Sequence, residues 1–429
     1  MIFELSVFLL LLVWLIQFLK GSCTITKAFR AARPVHVCFG IFLFWSFLQT
    51  ISFPGFLVSF VSPATIIAGQ VNQTVSVNPY LSVNRLLESF ALYGFFCLAL
   101  LLVTTRTRLK VVLFSILIAG LLQAVFGTLM LLSKLNYMFL IPKEFYITDV
   151  TGTFINRNHL AGFLEMCLAV GVGLMIAMMD GSKKNGFKKK LIYFLSVLLS
   201  PKIGVRIALV IMVIALILTH SRMGNVAFFS AMLIASVVGL VTNKSRSKSV
   251  LLFFASMIVV DLFLVGTWFG IDEVAQRLEK TGFHRETRDE VYMDGLDIIS
   301  AYPFTGTGGG TFESVYPIYK DGDVLLHYDH VHNDYLEFAI EYGLPATLVL
   351  GVAVFWTLVV SVLAQKHRKR RLLRSAGFAS FMGIVAILIH SLVDFNLHIP
   401  ANAAYFITLM ALAWISRYGL VSVRADKTS

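Results

Sequence analysis

The sequence predicts an all-α integral membrane protein with about 11 transmembrane helices (a range of about 10–12) and one large external loop. Of its 429 residues, 57% are hydrophobic and only 14% are charged, and the mean hydropathy is +0.80. Soluble domains carry about 25% charged residues, so this composition excludes an ordinary soluble fold. Apolar stretches of about 17–25 residues recur along the chain, and each is long enough to cross a bilayer as a helix.

These apolar stretches divide the chain. We expect membrane spans at 3–19, 35–53, 86–103, 111–131, 159–179, 203–219, 223–241, 250–269, 346–363, 375–392 and 403–420. The spacing predicts four regions, which are N-terminal transmembrane helices over 1–150, central transmembrane helices over 151–270, a large external loop with short helices over 271–345, and C-terminal transmembrane helices over 346–429.

Charge predicts the orientation. The net charge of +12 could indicate a nucleic-acid partner, but 26 of the 36 Lys and Arg residues fall in alternate linkers and the C-terminal tail. Cytoplasmic loops of membrane proteins carry such an excess, and they lie against anionic lipid. We therefore expect membrane lipid and no nucleic acid as a partner. The large loop is then external, where cytoplasmic ATP and nucleotide sugars cannot serve as donors.

Three arginines on the predicted outer side are candidates for binding an anion. Arg222 lies in a tight turn between two predicted spans, at the level of a lipid phosphate. Arg288 follows Thr287, the predicted N-cap of a helix in the large loop. Arg157 lies just before a span whose predicted N-cap is Asn158, and exposed amide groups at a helix start favour an anion. The alternative for each arginine is a surface ion pair or a snorkelling side chain.

His332 is the candidate general base. We expect a helix to begin at Asp334, with Glu337 completing a capping box and Gly343 ending the helix before a restart at Pro345. The positive end of the helix dipole then disfavours protonation of the preceding histidine, and a neutral imidazole can accept a proton. Alternatively, His332 only hydrogen-bonds loop backbone.

The same run also permits a metal site. The metal-ligand types alternate with other residues, so an external zinc site is conceivable, although no helical pair of histidines is present. The candidate ligands are His327, Asp329, His330, His332 and Asp334.

Four other ionisable residues lie inside predicted spans or in the turn between the last two. Asp394 and His398 lie in the predicted turn between the last two spans, where they either bind sugar hydroxyls or cap the loop. Glu165 and Asp261 lie inside predicted spans, where an ionisable group is costly and is functional or paired. The sequence does not assign a partner to either residue.

Several motifs resemble those of one family. They are Thr151–Gly162 (TGTFINRNHLAG), Ser221–Gly224 (SRMG), Tyr302–Phe312 (YPFTGTGGGTF), and His332–Tyr335 (HNDY) followed by Gly343. In these residues the chain resembles the O-antigen ligase and polymerase family, the Wzy-C superfamily of bacterial envelope glycosyltransferases. The resemblance covers about residues 150–350, in order along the chain.

This resemblance implies a GT-C-like multi-helix fold in the bacterial inner membrane, with the active site facing the periplasm. It implies transfer of a glycan from undecaprenyl diphosphate, with inversion and without a cofactor or metal. The acceptor hydroxyl belongs to the lipid A core, to the growing glycan or to a protein.

The resemblance also assigns roles to residues. The family's essential histidine corresponds to His332, and its two arginines correspond to Arg222 and Arg288. Tyr292 stands where the family pattern has leucine after the second arginine, so Arg285 is an alternative. We expect further polar residues to bind the diphosphate or the glycan, and these are Asn156, Arg157, His159, Arg285, His330, Asn333 and Asp334.

Two other function classes remain open. A lipid or polysaccharide transporter is disfavoured by the absence of an internal repeat relating the two halves of the sequence. A metal-dependent membrane hydrolase would depend on the zinc site described above.

Overall fold

A computed structural model describes residues 1–62, 73–135, 137–179, 201–242, 282–320 and 328–419 of the protein. In these ranges the fold is all-α except for the two-residue strands β1 (Tyr137–Met138) and β2 (Ile141–Pro142), which pair antiparallel. The helices are α1 (Ile2–Leu19), α2 (Lys27–Ala31), α3 (Arg33–Thr50), α4 (Gly55–Val61), α5 (Pro79–Leu102), α6 (Arg106–Leu132), α7 (Arg157–Met178), α8 (Pro201–Leu218), α9 (Arg222–Thr242), α10 (Gly282–Ala301), α11 (Phe312–Tyr319), α12 (Asp334–His367), α13 (Arg371–His390) and α14 (Pro400–Tyr418). A 3-10 helix, Asn396–His398, precedes α14.

The helices bear out the membrane assignment. Within the described ranges, seven helices are long and apolar enough to cross a bilayer, namely α1, α5, α6, α7, α9, α12 and α13. The predicted spans 35–53, 203–219 and 403–420 correspond to α3, α8 and α14. The predicted span 250–269, with Asp261, lies outside the described residues. The all-α class is confirmed, whereas the total of eleven spans stays a prediction.

Helix α7 lies at the centre of the bundle. Almost every residue from His159 to Met175 is buried, and α7 packs against α13, α8 and α6. Small residues such as Ala161 and Gly173 allow this close approach of helices. Helix α1 is the opposite case, since only Val7 is buried and its leucines face outward. An apolar exposed surface of this kind suits contact with lipid.

Helix α12 is broken at Gly343, as predicted. Gly343 has φ 78° and ψ 162°, a combination that is essentially restricted to glycine. The break leaves main-chain carbonyls without helical partners, and the amides of Thr307 and Gly308 bond to the carbonyls of Ile340 and Glu341 at 2.8 and 2.9 Å. The glycine-rich turn of the YPFTGTGGGTF motif therefore supports the break in α12.

Two helix starts differ from the predictions by one or two residues. Asn156, rather than Asn158, caps α7, and its side chain accepts from the amide of Asn158 at 2.9 Å. Asn333, rather than Asp334, caps α12 by accepting from the amides of Tyr335 and Leu336. In both cases several residues can act as caps, and tertiary contacts decide which one does.

The start of α10 also differs. The helix begins at Gly282, so Thr287 and Arg288 lie within it, and the predicted N-cap at Thr287 is wrong. The capping-box pattern of Thr287 and Glu290 is compatible with a helix interior, because threonine and glutamate are also tolerated there.

Candidate functional site

Ten ionisable side chains gather at one end of the bundle, where α7 and α12 begin, α13 ends and the 3-10 helix precedes α14. We call them the histidine–carboxylate cluster. They are His159, Glu165, His330, His332, Asp334, Glu337, Glu341, His390, Asp394 and His398. The opposite end of the same helices is basic, where Arg368 donates to the carbonyl of Ser416 at 2.8 Å and Arg371 donates to that of Met179.

His332 faces a carboxylate. Its Nδ1 lies 3.6 Å from Oδ1 of Asp394, and its side chain is 22% exposed while that of Asp394 is 1% exposed. Nδ1 is buried, so the exposed part of the ring lies on its other side. A carboxylate at Nδ1 favours the tautomer that carries its proton there and leaves Nε2 free to accept one. This arrangement suits a general base.

His332 also has an unusual backbone conformation. Its φ of 58° is in the left-handed region, which is uncommon for residues other than glycine. The hydroxyl of Tyr292 in α10 donates to the carbonyl of His332 at 3.0 Å. Helix α10 therefore helps to fix the main chain that carries the candidate base. Such strained conformations are often found at functional sites.

Asp394 is the centre of three imidazoles. Nε2 of His159 lies 3.8 Å from Oδ1, the oxygen that His332 also faces, and Nε2 of His390 lies 3.8 Å from Oδ2. Burial alone would raise the pKa of Asp394, but His332, His390 and His159 together hold the pKa below its ordinary value. Asp394 is thus a carboxylate that stays ionised although it is buried.

Glu165, inside the span α7, has a partner in His390. Oε1 of Glu165 lies 2.8 Å from Nδ1 of His390, and both side chains are almost completely buried. His332, Asp394, His390 and Glu165 therefore form a continuous series of alternating imidazoles and carboxylates that runs from the surface into the bundle.

A second part of the cluster surrounds His398. Its Nδ1 lies 2.8 Å from Oδ1 of Asp334, and its Nε2 faces Glu337 and Glu341 at 3.5 and 3.8 Å. Burial alone would lower the pKa of His398, but Glu337, Asp334 and Glu341 raise it well above its ordinary value. The second part of the cluster thus strongly favours a positive charge at His398.

His330 lies between the two parts of the cluster. Its Nδ1 is 2.5 Å from Oε1 of Glu337, and its ring stacks on Phe395 with the centroids 4.0 Å apart. The ring of Phe395 also contacts His332 and His159, whose ring centroids are 4.9 and 4.6 Å away. Phe395 thus separates His332 from the pair of His330 and Glu337.

Asp334 and Asn333 hold the start of α12 in place. Asp334 is fully buried, and its carboxylate accepts from the hydroxyl of Ser391 at 2.6 Å and from the amide of Leu397 at 3.1 Å. Asn333 donates to the carbonyl of Leu392 at 2.9 Å. These bonds hold His332, which precedes Asn333, beside the turn that carries Asp394.

Arg157 forms an ion pair. Its Nη1 lies 2.8 Å from Asp149, whose other oxygen is 2.7 Å from Nδ1 of His220. The guanidinium also lies over the ring of Tyr146, 5.3 Å from the centroid. Its side chain remains 34% exposed, so part of it is open to an anion. The pair connects the start of α7 to the turn that precedes Arg222.

Arg222 is the first residue of α9 and is exposed. Its helix starts beside the cluster, because a Cβ atom on Gly224 would lie 2.6 Å from Cβ of Ala161 and 3.2 Å from Oε1 of Glu165. Glycine is required at such close approach. Among the residues that the structure describes, the side chain of Arg222 forms no ion pair. The side chains of Arg285 and Arg288 lie outside the described residues.

The described part of the chain contains one group of side chains with the spacing of a metal site, which is formed by Glu337, Glu341 and His398. The candidate zinc ligands named from the sequence, which lie within residues 327–334, are a different set of residues. His332 faces Asp394, Asp334 bonds to His398, and His327 lies outside the described residues. The described members of that run are not drawn together as a set of metal ligands.

A cavity of about 390 Å³ opens beside the cluster. Its walls are mostly apolar and come from α3, α5, α12, α13 and α14, while Arg85, Asp334 and His398 supply polar groups. Arg85 is ion-paired with Glu88 at 2.9 Å. The cavity therefore joins an apolar space to the part of the cluster around His398.

Sequence reasoning identified His332 but did not find most of its surroundings. No sequence motif singles out His390, the sequence assigns no partner to Glu165, and it leaves two interpretations of Asp394 open. The contact between Glu165 and His390 joins residues 225 positions apart. Only their occurrence as ionisable residues in or beside spans could have signalled them.

Comparison with known families finds a match over residues 207–351 to the family model described as O-antigen ligase, Wzy_C. No curated protein matches the chain. The matched segment contains His332, Asp334 and Arg222 but not His159, Asp394 or His398. This match over residues 207–351 confirms the resemblance to the Wzy_C family that the sequence motifs indicate.

Proposed function

We propose that the protein is a membrane glycosyltransferase that transfers a glycan from undecaprenyl diphosphate to an acceptor hydroxyl at the periplasmic face of the bacterial inner membrane. The single observation that carries this proposal is the partly exposed His332 with its Nδ1 against the buried Asp394. His332 lies in the segment that matches the O-antigen ligase family model. The architecture we propose is GT-C-like, with the four regions expected from the sequence.

The proposed reaction needs little beyond this pair and the arginines. Nε2 of His332 takes the proton of the acceptor hydroxyl, while Asp394 holds the ring and offsets the charge of the imidazolium. The hydroxyl oxygen forms a bond to the anomeric carbon, and the bond from that carbon to the diphosphate oxygen breaks on the opposite face. The configuration is inverted, and the electron pair leaves with the diphosphate.

Arg222 and Arg288 would stabilise the charge that grows on this diphosphate, with Arg285 as the alternative to Arg288. Guanidinium groups suit phosphate because they donate two parallel hydrogen bonds. The exposure of Arg222 at the start of α9 supports this role. Arg157, Asn156, His159, His330, Asn333 and Asp334 remain proposed contacts or supports of the substrate. No cofactor or metal takes part in the proposed transfer step.

The first prediction concerns His332. We expect His332→Ala to lower the transfer rate by about 10²–10⁴-fold, because a positioned base contributes that much. The measurement is conversion of a polyprenyl-diphosphate-linked glycan by the purified protein in detergent. The matched control is His367→Ala, an exposed histidine at the other end of α12. Full activity of a well-folded His332→Ala protein would remove the base assignment.

The acceptor is tested in cells. In a deletion strain, loss of all surface glycan attachment would indicate a ligase, whereas retention of a single repeat unit would indicate a polymerase. Loss of glycan from proteins alone would indicate protein O-glycosylation. A donor that stays covalently unchanged while it crosses the membrane would instead support a transporter.

A further inference from the structure

We propose that Glu337, Glu341 and His398 form a divalent-cation site of the Zn²⁺ class, which ties the first turns of α12 to the 3-10 helix before α14. One ligand atom of each residue lies within 4.8 Å of the other two. Nε2 of His398 is 3.5 Å from Oε1 of Glu337 and 3.8 Å from Oε2 of Glu341. Ligand atoms about 2.1 Å from a tetrahedral ion are about 3.4 Å apart, so small shifts suffice.

Two of the three ligand atoms are otherwise unsatisfied. Nε2 of His398 and Oε2 of Glu341 are buried and have no hydrogen-bond partner. The exposed fractions are 8% for His398 and 2% for Glu341. Buried polar atoms in folded proteins nearly always have a hydrogen-bond partner. Two buried atoms that face each other without a hydrogen bond therefore require an explanation. A bound cation satisfies both of them at once.

The neighbouring groups are those that orient metal ligands. Nδ1 of His398 lies 2.8 Å from Asp334, and a metal-bound histidine commonly donates its other N–H to a carboxylate. Glu337 is also held, because its Oε2 accepts from the amide of Val331 at 3.2 Å. Two of the three ligands are therefore fixed by further bonds in the geometry that a metal ion would need.

Charge balance also favours a cation. Asp334, Glu337 and Glu341 bring three buried carboxylates to this part of the cluster, where His330 and His398 are the facing imidazoles. The nearby Arg85 is ion-paired with Glu88 and is also attracted by Glu341, so these three groups together still carry a net negative charge. A proton on His398 is the competitor of the metal, since a ligand imidazole must be neutral.

The site lies beside a cavity, and it is separate from the proposed chemistry. His398 and Asp334 line the 390 Å³ cavity, which offers the ion a path as far as His398. Phe395 stands between His332 and His330, so the ion would not contact the candidate base. The ion would help to position His332 relative to Asp394. His332 lies just before α12, and Asp394 lies just before the 3-10 helix.

The first test uses the untagged wild-type protein. We expect about one Zn²⁺ per chain by mass spectrometry, a Tm that falls on EDTA treatment, and a Tm that rises again with free Zn²⁺. X-ray absorption at the zinc edge should show one imidazole with carboxylate oxygens at about 2.0–2.2 Å. Absence of zinc together with no Zn²⁺ binding, or a shell that contains sulfur, would overturn the site.

The second test compares two substitutions of glutamate. Glu341→Gln should raise the Kd for Zn²⁺ at least about 10-fold, whereas Glu144→Gln, which changes an exposed carboxylate between β2 and α7, should leave it unchanged. Equal Kd values for the two variants would contradict the proposal. If Glu341→Gln does not fold, the absorption spectrum of the wild type still decides. None of these measurements depends on glycan transfer, so the proposed function is judged separately.

Discussion

At the scale of single residues, the candidate base depends on side chains that it does not touch. His332 contacts Asp394, Asp394 contacts His390, and His390 contacts Glu165. Each carboxylate fixes the orientation of the imidazole beside it, and the imidazoles around Asp394 help to keep this buried carboxylate ionised. The series holds His332 in one orientation while leaving one of its nitrogens exposed.

The second prediction tests Asp394 as the group that orients His332. We expect Asp394→Asn to lower kcat by about 10²–10⁴-fold with little change in KM, because the amide does not stabilise the imidazolium or favour the required tautomer. The assay is steady-state transfer with a lipid-linked glycan. Asp297→Asn, at an exposed position in α10, is the control. A large rise in KM with an unchanged kcat would show instead that Asp394 binds substrate.

The third prediction concerns acid stability. The pKa of Asp394 is below its ordinary value in the folded protein. A lowered folded pKa means that the stabilisation is present above the unfolded pKa of about 3.9 and is lost as the pH falls through the folded value. The Tm difference between wild type and Asp394→Asn should therefore shrink as the pH falls below about pH 4. A difference that grows on acidification would contradict this assignment.

The sequence identified His332 because the features that mark it are local. A histidine directly before a helix start can be read from His332 and the capping residues that follow it. The partnership of Glu165 with His390 could not be read, since it joins positions 225 residues apart. Asp334 shows a different limit of sequence reasoning. Its position predicts a helix cap, whereas its carboxylate is hydrogen-bonded to Ser391 and His398.

At the scale of the elements, the site is made from helix ends. The starts of α7 and α12 and the end of α13 all lie at the cluster, so one to three side chains per helix end are enough to build most of it. The apolar periodicity predicted these helices well, because burial in a bilayer requires long apolar segments. Their exact ends were harder to predict, since Asn156 and Asn158 are equally good caps by type.

The fourth prediction tests the break in α12. Gly343→Ala should destabilise the protein by about 1–3 kcal/mol or more, because its φ and ψ are essentially restricted to glycine. A Cβ atom there would also lie 2.4 Å from the carbonyl oxygen of Phe304. The control is Gly351→Ala in the same helix, where a Cβ atom meets nothing within 4 Å and helix propensity favours alanine by about 0.5–1 kcal/mol.

The measurement is thermal unfolding of both variants in the same detergent. A clearly lower Tm for Gly343→Ala than for Gly351→Ala is expected. Equal values would mean that the first turns of α12 can straighten into one continuous helix. In that case the carbonyls that Thr307 and Gly308 now bond to would be used within α12.

At the scale of the whole molecule, charge and chemistry lie at opposite ends of the helices. The cluster lies where α7, α12 and α14 begin, and the basic residues Arg368 and Arg371 lie where α12 ends and α13 begins. The sequence predicted this division correctly for the described helices, because the basic residues sit in alternate linkers. It could not predict which helix lies at the centre, since α7 and α1 are similarly apolar and differ in packing.

The fifth prediction is the orientation of the protein in the membrane. Basic loops remain in the cytoplasm, so the cluster should face the periplasm. The test uses both ends of the 27-residue helix α6, with Ser133→Cys at the cluster side and Thr104→Cys at the basic side, each in a protein without its four native cysteines. A membrane-impermeant maleimide added to spheroplasts should label Ser133→Cys, and it should label Thr104→Cys only after permeabilisation. The reverse pattern would put His332 in the cytoplasm, and a donor presented at the outer leaflet could then not reach it.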